Sequence, residues 1–319
     1  MRLGLGLVGV ALLALMSLAT GVGNMDWWGL LTGAEDGRTL QLLLVSRIPR
    51  TLAIILAGMT LGVAGLIMQM LARNRFAEPT TAGTAESASL GLLAAVVLVP
   101  AAPVFAKMLI ASAFALAGTA VFLGLLRRIP LRSVLMVPLV GLMLGGIVES
   151  VTVFFAYRLD LLQSVTAWTA GDFSGVLEGR YELLWVAAAL AVAAYLMADR
   201  LTLAGMGEDF ATNLGLNHRR VVTLGLIIVA MVTAVVVVTV GMVPFLGLIV
   251  PNLVAMAMGD NARRSIPWVA LSGAALLLLC DMAGRMVRYP YEIPVGLIVG
   301  VIGGAAFLAL MLRRQARLG

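Results

Sequence analysis

The chain alternates long apolar blocks with short polar ones, and the apolar blocks set the expected architecture. Ten runs, roughly 3–22, 51–71, 87–105, 107–126, 134–156, 183–198, 221–241, 244–258, 268–288 and 293–312, are largely apolar. About 20 such residues in a helix cross the ~30 Å of hydrocarbon in a bilayer. The ten-residue alternating segments of a membrane β-barrel do not occur. The pattern predicts an all-α, polytopic membrane protein of about ten transmembrane helices, with residues 1–319 forming one domain. The eighth run is short, and the connection between the third and fourth is tight. Gly58, Gly62 and Gly65 on the second run would let a neighbouring helix approach closely.

One polar stretch interrupts this pattern between the sixth and seventh runs. Residues 203–220 read LAGMGEDFATNLGLNHRR. Gly207 is placed to start a helix, and Glu208 and Asp209 put negative charge at its positive end. Leu203, Met206, Phe210 and Leu214 recur at i, i+3 or i+4 as one apolar stripe. Gly215 can end the helix. From 208 to 214 that is about two turns, ~10 Å, too short to span. An amphipathic helix on the inner leaflet fits the spacing, but its acidic first turn suits an anionic surface poorly.

Composition and charge narrow the picture. Only 12% of residues are charged, against about 25% in soluble domains. The net charge of +6 reports topology here rather than nucleic-acid binding. Sorted by alternating loops, the larger basic group runs from Arg2, Arg73, Arg75, Arg127 and Arg128 to Arg313, Arg314 and Arg317. The smaller holds Arg38, Arg47, Arg50, Lys107, Arg158, Arg180, Arg285 and Arg288. The richer side is cytoplasmic, which puts both termini and the polar insert inside. The opening MRLGLGLVGVALLALMSLATG also reads as a signal peptide. Its apolar core is longer than usual for one, which favours a retained span, and the charge rule reads the same either way.

Candidate chemistry is sparse. The one histidine, His218, lies in the insert, and no His/Cys cluster suits a transition metal. No glycine–lysine phosphate loop appears, so this chain is not expected to hydrolyse ATP. No Arg-rich span or TVGYG-like filter suggests a voltage sensor or potassium channel. Cys280 reads as an inert core thiol. Of the acidic residues near the spans, Asp281 and Glu292 lie near Arg285 and Arg288 and read as paired. Glu149, deep in the fifth run, is either a polar pathway lining or a helix–helix hydrogen bond, and it keeps a proton-coupled carrier in view.

Three longer stretches carry a resemblance. Residues 46–91 contain SRIPR, then RNRFAEPTTAGT, then AESASLG. The second stretch is the insert. The third is GMVPFLGLIVPNLV, from residue 241, followed by CDMAGRMVRYPYEIPVG from residue 280. Pro49 opens the second span where its missing N–H costs nothing. Pro79 and Gly83 break the segment after it, which must be buried in protein or line a pathway. In this order the stretches resemble the permease subunits of type II ABC importers, the iron-chelate, haem and cobalamin uptake family. RNRFAEPTTAGT looks closest to the branch serving ferric siderophores of catecholate type. Asn252 stands where many members have histidine, and Arg75-Phe76 replaces a common Pro-Leu.

The resemblance implies a transport subunit, not an enzyme, in the bacterial cytoplasmic membrane. Its implied partners are a second permease subunit, two ATPase subunits that use ATP and magnesium, a periplasmic or lipid-anchored siderophore-binding protein, and membrane lipid. It implies no cofactor or metal bound by this chain and no nucleic acid. By position it implies docking of the binding protein by Arg47, Arg50 and Arg285 through exposed charge. It implies an inner gate at Asn74, Phe76 and Ser133. A pathway between two permeases would be lined by Met59, Met68, Met143 and Glu149, although Met at helical spacing is more often core. Gly207, Glu208, Asp209, Phe210, Leu214 and Gly215 become the helix that couples to the ATPase. The outer segment 158–185 is expected to hold a short helix near the outer mouth, with Trp168 there.

Overall fold

The computed structural model describes residues 2–20, 38–128, 136–179, 181–259 and 261–315. Regular structure among them is entirely helical. Helix α1 (Arg2–Ala19) is followed by α2 (Arg38–Leu42), which runs through a π-helical turn, Leu43–Arg47, into α3 (Ile48–Leu71). A 3₁₀ turn, Thr80–Ala82, precedes α4 (Thr84–Leu98). Then come α5 (Val104–Arg128), α6 (Met136–Arg158) and the short α7 (Leu162–Thr169). Helices α8 (Leu184–Leu196), α9 (Ala198–Gly205) and α10 (Glu208–Asn213) lead to α11 (His218–Val240). Helices α12 (Leu246–Met258), α13 (Ala262–Met286) and α14 (Val295–Gln315) complete the described chain.

The described residues of the ten apolar runs lie largely on helices. Among the described residues, five stretches are long and apolar enough to cross a membrane alone: Leu40–Leu71, Val104–Leu126, Met136–Arg158, His218–Val240 and Ala262–Met286. Helices α8 and α9 make a sixth only as a pair bent by 68°. Helices α1, α4, α12 and α14 supply shorter apolar stretches.

Two boundaries differ from expectation for local reasons. The third helix starts at Thr84 and stops at Leu98, not over 87–105. Gly83, at φ 75°, turns the chain into it, and Pro100 forces Val99 out of helical geometry. The ninth starts at Ala262 rather than 268, because the Asn261 side chain accepts the Arg264 N–H at 3.1 Å and caps it.

Helix α3 is the hub: 83% of its apolar window is buried, and α1, α8, α11, α12 and α13 surround it. Small residues make this possible. A Cβ on Gly58 would meet the Gly273 carbonyl of α13 at 2.5 Å, and one on Gly65 would overlap the backbone of Gly247 in α12. Side chains such as Ile54, Ile67, Met68, Leu277 and Leu278 fill the space between. The α4–α5 hairpin packs on α11. Helix α6 leans on α4, yet only 22% of its apolar window is buried.

Candidate functional site

Between α3 and α4 the chain folds back into the bundle instead of leaving it. Arg73, at φ 47°, reverses the direction. The Asn74 N–H then donates to Gln69 O at 3.0 Å, and Asn74 Oδ1 accepts the Phe76 N–H at 2.8 Å. Glu78, 1% exposed, accepts the Phe245 N–H at 2.9 Å and the Thr80 hydroxyl. Its carboxylate lies against Gly247, which in turn faces Leu61 and Gly65 of α3. Counted at 1.5 Å per residue, that level is roughly 10 Å inside the end of α3.

Two helices begin at this depth. Helix α12 starts from Phe245, held at φ 63°. Helix α4 starts beside the middle of α5, where Thr84 and Thr119 share a hydrogen bond of 2.7 Å. Both are discontinuous spans, and Glu78 sits at the positive start of α12, where a carboxylate is favoured. The reversal is tied down further along. Gln69 Nε2 donates to Leu248 O at 3.3 Å. Asn252 Nδ2 donates to Arg75 O at 2.7 Å and to Leu248 O at 2.8 Å.

Two of the residues expected at an inner gate fall within this arrangement. Phe76 is 5% exposed and meets Phe307 of α14 edge-on, with centroids 5.6 Å apart. Phe245 stacks on the same ring at 6.4 Å. Asn74 and Phe76 are thus brought together with α12 and α14, while Ser133 lies outside the described residues. Glu78 was given no role by the sequence reading. Its signal was an acid inside a Pro- and Gly-broken segment that had to be buried.

On the opposite side, of the three arginines expected as exposed docking charges, Arg47 and Arg285 are buried and Arg50 is partly buried, all held by hydrogen bonds or ion pairs. Arg285 Nη1 donates to Thr20 O at 2.6 Å and Ser17 O at 3.1 Å, and Nη2 to Ser17 Oγ at 2.6 Å and to Asp281. Arg47 Nη1 donates to Leu18 O at 2.7 Å. Arg50 reaches Asp281 Oδ1 and Glu292 Oε2, each at 2.7 Å. Two of these arginines therefore satisfy the last carbonyls of α1, which a helix end leaves open. Exposed docking charge is corrected: Asp281, 0% exposed, and Glu292 already compensate Arg50 and Arg285. Pairing of the two acids is expected with Arg285 and Arg288, and Asp281 does pair with Arg285, but not with Arg288. That residue is instead exposed, over the Tyr291 ring at 5.9 Å, and Arg50 takes its place.

The expected pathway residues separate. Met68 is fully buried and Met59 partly buried in the core around α3, so they are packing residues rather than a lining. Met143 and Glu149 lie on the open face of α6. There Glu149, Ser150, Val153, Phe154 and Tyr157 line a groove of about 480 Å³. One turn back, Gly145 touches the carboxyl of Glu86 from α4, whose Oε2 is buried with no hydrogen-bond partner among the described residues. Helix α7 is the short helix expected within 158–185, and Trp168 lines a cavity of about 670 Å³ between it, α4, α5 and the end of α11.

The insert forms α10, six residues long. Gly207, at φ 126°, separates it from α9, so the apolar stripe is not one helix and Leu203 belongs to α9. Gly215, at φ 78°, ends α10 with paired bonds: its N–H donates to Thr212 O at 2.8 Å and that of Leu216 to Ala211 O at 3.0 Å. Glu208, Asp209, Met206, Phe210 and Leu214 are all exposed. Among the described residues, no three His, Cys, Asp or Glu side chains gather at a metal's reach.

Comparison with known proteins places this geometry. The chain is 51% identical over 274 residues to the petrobactin import system permease protein YclN of Bacillus subtilis (strain 168), covering 86% of this chain and 87% of that one. It is 40% identical to the petrobactin import system permease protein FatD of Bacillus anthracis, over 98% of this chain and 91% of that one. A solved structure of a metal-chelate type ABC transporter in an inward-facing conformation shares the fold, with a TM-score of 0.81 at 23% identity over 98% of this chain and 99% of that one. The model of the FecCD transport family matches residues 6–313. With nearly the whole chain matched, this is a member of the FecCD transport family.

Proposed function

We propose that the chain is a permease subunit of an ATP-driven importer that carries a ferric siderophore across the cytoplasmic membrane. The observation that carries this reading is the likeness to two petrobactin permeases, which extends over 98% of the chain for one of them. The open α6 face supports a second, non-identical permease as its cover. The pathway then runs along the groove at Glu149, with Met143 beside it. The loop holding Asn74 and Phe76 closes the inner end. A binding protein delivers the chelate from outside, and both termini lie inside.

Helix α10 supports a separate ATPase pair as the source of energy. It exposes Met206, Phe210 and Leu214 beside Glu208 and Asp209, a small apolar surface rimmed by charge on the predicted cytoplasmic side. A proton-driven carrier working through Glu149 needs no such element.

The test is uptake of ferric petrobactin into vesicles holding the assembled importer. Uptake is expected to require ATP and to survive an uncoupler. The reverse pattern would sink the reading in favour of a proton-coupled carrier. Phe210→Ala, or reversal of the charges at Glu208 and Asp209, is expected to spare membrane insertion and weaken ATPase docking. Loss of an aromatic anchor at an interface costs about 2 kcal/mol, roughly thirtyfold in affinity. Unaltered ATPase affinity in the Phe210 variant would remove α10 from that role.

A further inference from the structure

The cavity beside Trp168 lies where helices end. Its walls come from the last turns of α4, with Leu92 and Val96, the first turn of α5, with Phe105, and the end of α11, with Val238. Helix α7 and the 172–183 connection complete it. The ends of helices in a membrane bundle stand near the level where hydrocarbon gives way to headgroups, and tryptophan is favoured there. At about 670 Å³ the cavity is of a size that encloses a small molecule or headgroup.

Three charged side chains interrupt this mostly apolar lining. Lys107, Asp172 and Glu182 all line the cavity, yet Lys107 forms no ion pair with either acid among the described residues. Each charge is held by its own loop instead. Lys107 Nζ donates to Pro100 O at 2.9 Å. Asp172 accepts the Ser174 N–H at 2.8 Å and the Ser174 hydroxyl at 2.6 Å. Glu182 accepts the Gly179 N–H at 2.7 Å. None of these bonds exhausts its group, since an ammonium has three donors and a carboxylate about four acceptor positions. Opposite charges kept apart around one cavity suit an occupant that itself carries both signs.

We propose that this cavity binds the headgroup of phosphatidylethanolamine, with the lipid phosphate at Lys107 and its ammonium at Asp172 and Glu182. The surroundings select a lipid over a soluble zwitterion. Phe105 and Leu109, one turn apart on α5 and both exposed, carry the apolar wall from the cavity onto the outside of the bundle, where acyl chains follow it. An anionic lipid would satisfy Lys107 but set negative charge against two carboxylates. The site does not depend on which cargo the chain carries.

The experiment uses the purified importer in detergent, stripped of lipid and titrated with dioleoyl phosphatidylethanolamine, phosphatidylglycerol or phosphatidylcholine. Bound lipid is counted by native mass spectrometry. The ethanolamine lipid is expected to bind about tenfold more tightly than either of the others. The glycerol headgroup has no cation and the choline headgroup has no N–H, and one hydrogen bond to a charged group is worth about that factor. Lys107→Ala is expected to weaken the ethanolamine and glycerol lipids alike, by about tenfold. Asp172→Asn combined with Glu182→Gln keeps an oxygen to accept the Ser174 and Gly179 N–H groups, so both turns persist. That variant is expected to erase the preference for the ethanolamine lipid without weakening the glycerol lipid. Equal binding of the three lipids by the unaltered importer, or a preference that survives in both variants, overturns the proposal. A preference for the glycerol lipid overturns it too, marking a surface that reads negative charge alone. So does displacement of the lipid by phosphoethanolamine at equal concentration, which would mark a site for a soluble zwitterion.

Discussion

Alanine at Gly65 is expected to destabilise the bundle by about 3 kcal/mol or more, at or beyond the upper end of overpacking costs. The new methyl group would overlap the Cα, C and O of Gly247. These are backbone atoms, so no flexible side chain can swing aside, and α3 and α12 would have to separate. Separation would also stretch the Gln69 bonds to Gly247 and Leu248 and draw Phe245 away from Glu78. The measurement is a thermal or denaturant transition of the purified chain in detergent. Gly124→Ala is the control: nothing lies within 4 Å of a Cβ there, and alanine in a helix is favoured over glycine by up to about 1 kcal/mol. A Gly65 variant as stable as the Gly124 variant would mean that α3 and α12 do not meet backbone to backbone.

Removal of the Asp281 carboxylate is the second large effect. Asp281 lies between Arg50 and Arg285 with no solvent exposure. In Asp281→Ala, Arg285 keeps its bonds to Ser17 and Thr20 but loses its counter-charge. Breaking a buried pair on one side typically costs about 3–5 kcal/mol, because a buried charge is left uncompensated. Arg50 is cushioned by Glu292, so most of the loss falls on Arg285 and on the seating of α1. The variant is expected to show a lowered transition and faster proteolysis near residue 20. Asp281→Ala combined with Arg285→Leu removes both charges and is expected to recover part of the loss. No recovery would show that the penalty has another origin.

These residues also mark what the sequence conveys and what it withholds. Ten apolar runs were legible because lipid-facing and protein-facing helix surfaces are both apolar in a membrane bundle. The α10 insert was legible because Gly207 and Gly215 punctuate it and its acids sit at its start. The arginines were misread because a basic residue beside an outer loop has the same local pattern whether it is exposed or paired. Asp281 approaches Arg50 only through the packing of α3 on α13, 231 positions apart. Met68 and Met143 carry the same ambiguity: helical spacing does not say which side meets the core. Starts of α4 and α12 were out of reach for a related reason. Their depth is fixed by Glu78 and by glycine contacts between distant segments.

That last link bears on how the protein is made. Glu78 and its partner Phe245 are separated by 167 residues. Chains are synthesised at about 5–20 residues per second, so Glu78 waits roughly ten to thirty seconds for the group that satisfies it. Throughout that interval the α3–α4 segment has been translated, but its carboxylate has no place in a finished bundle. The amino-terminal half therefore matures only after the ribosome has passed residue 245, and Arg50, Ser17 and Phe76 wait longer still for Asp281, Arg285 and Phe307.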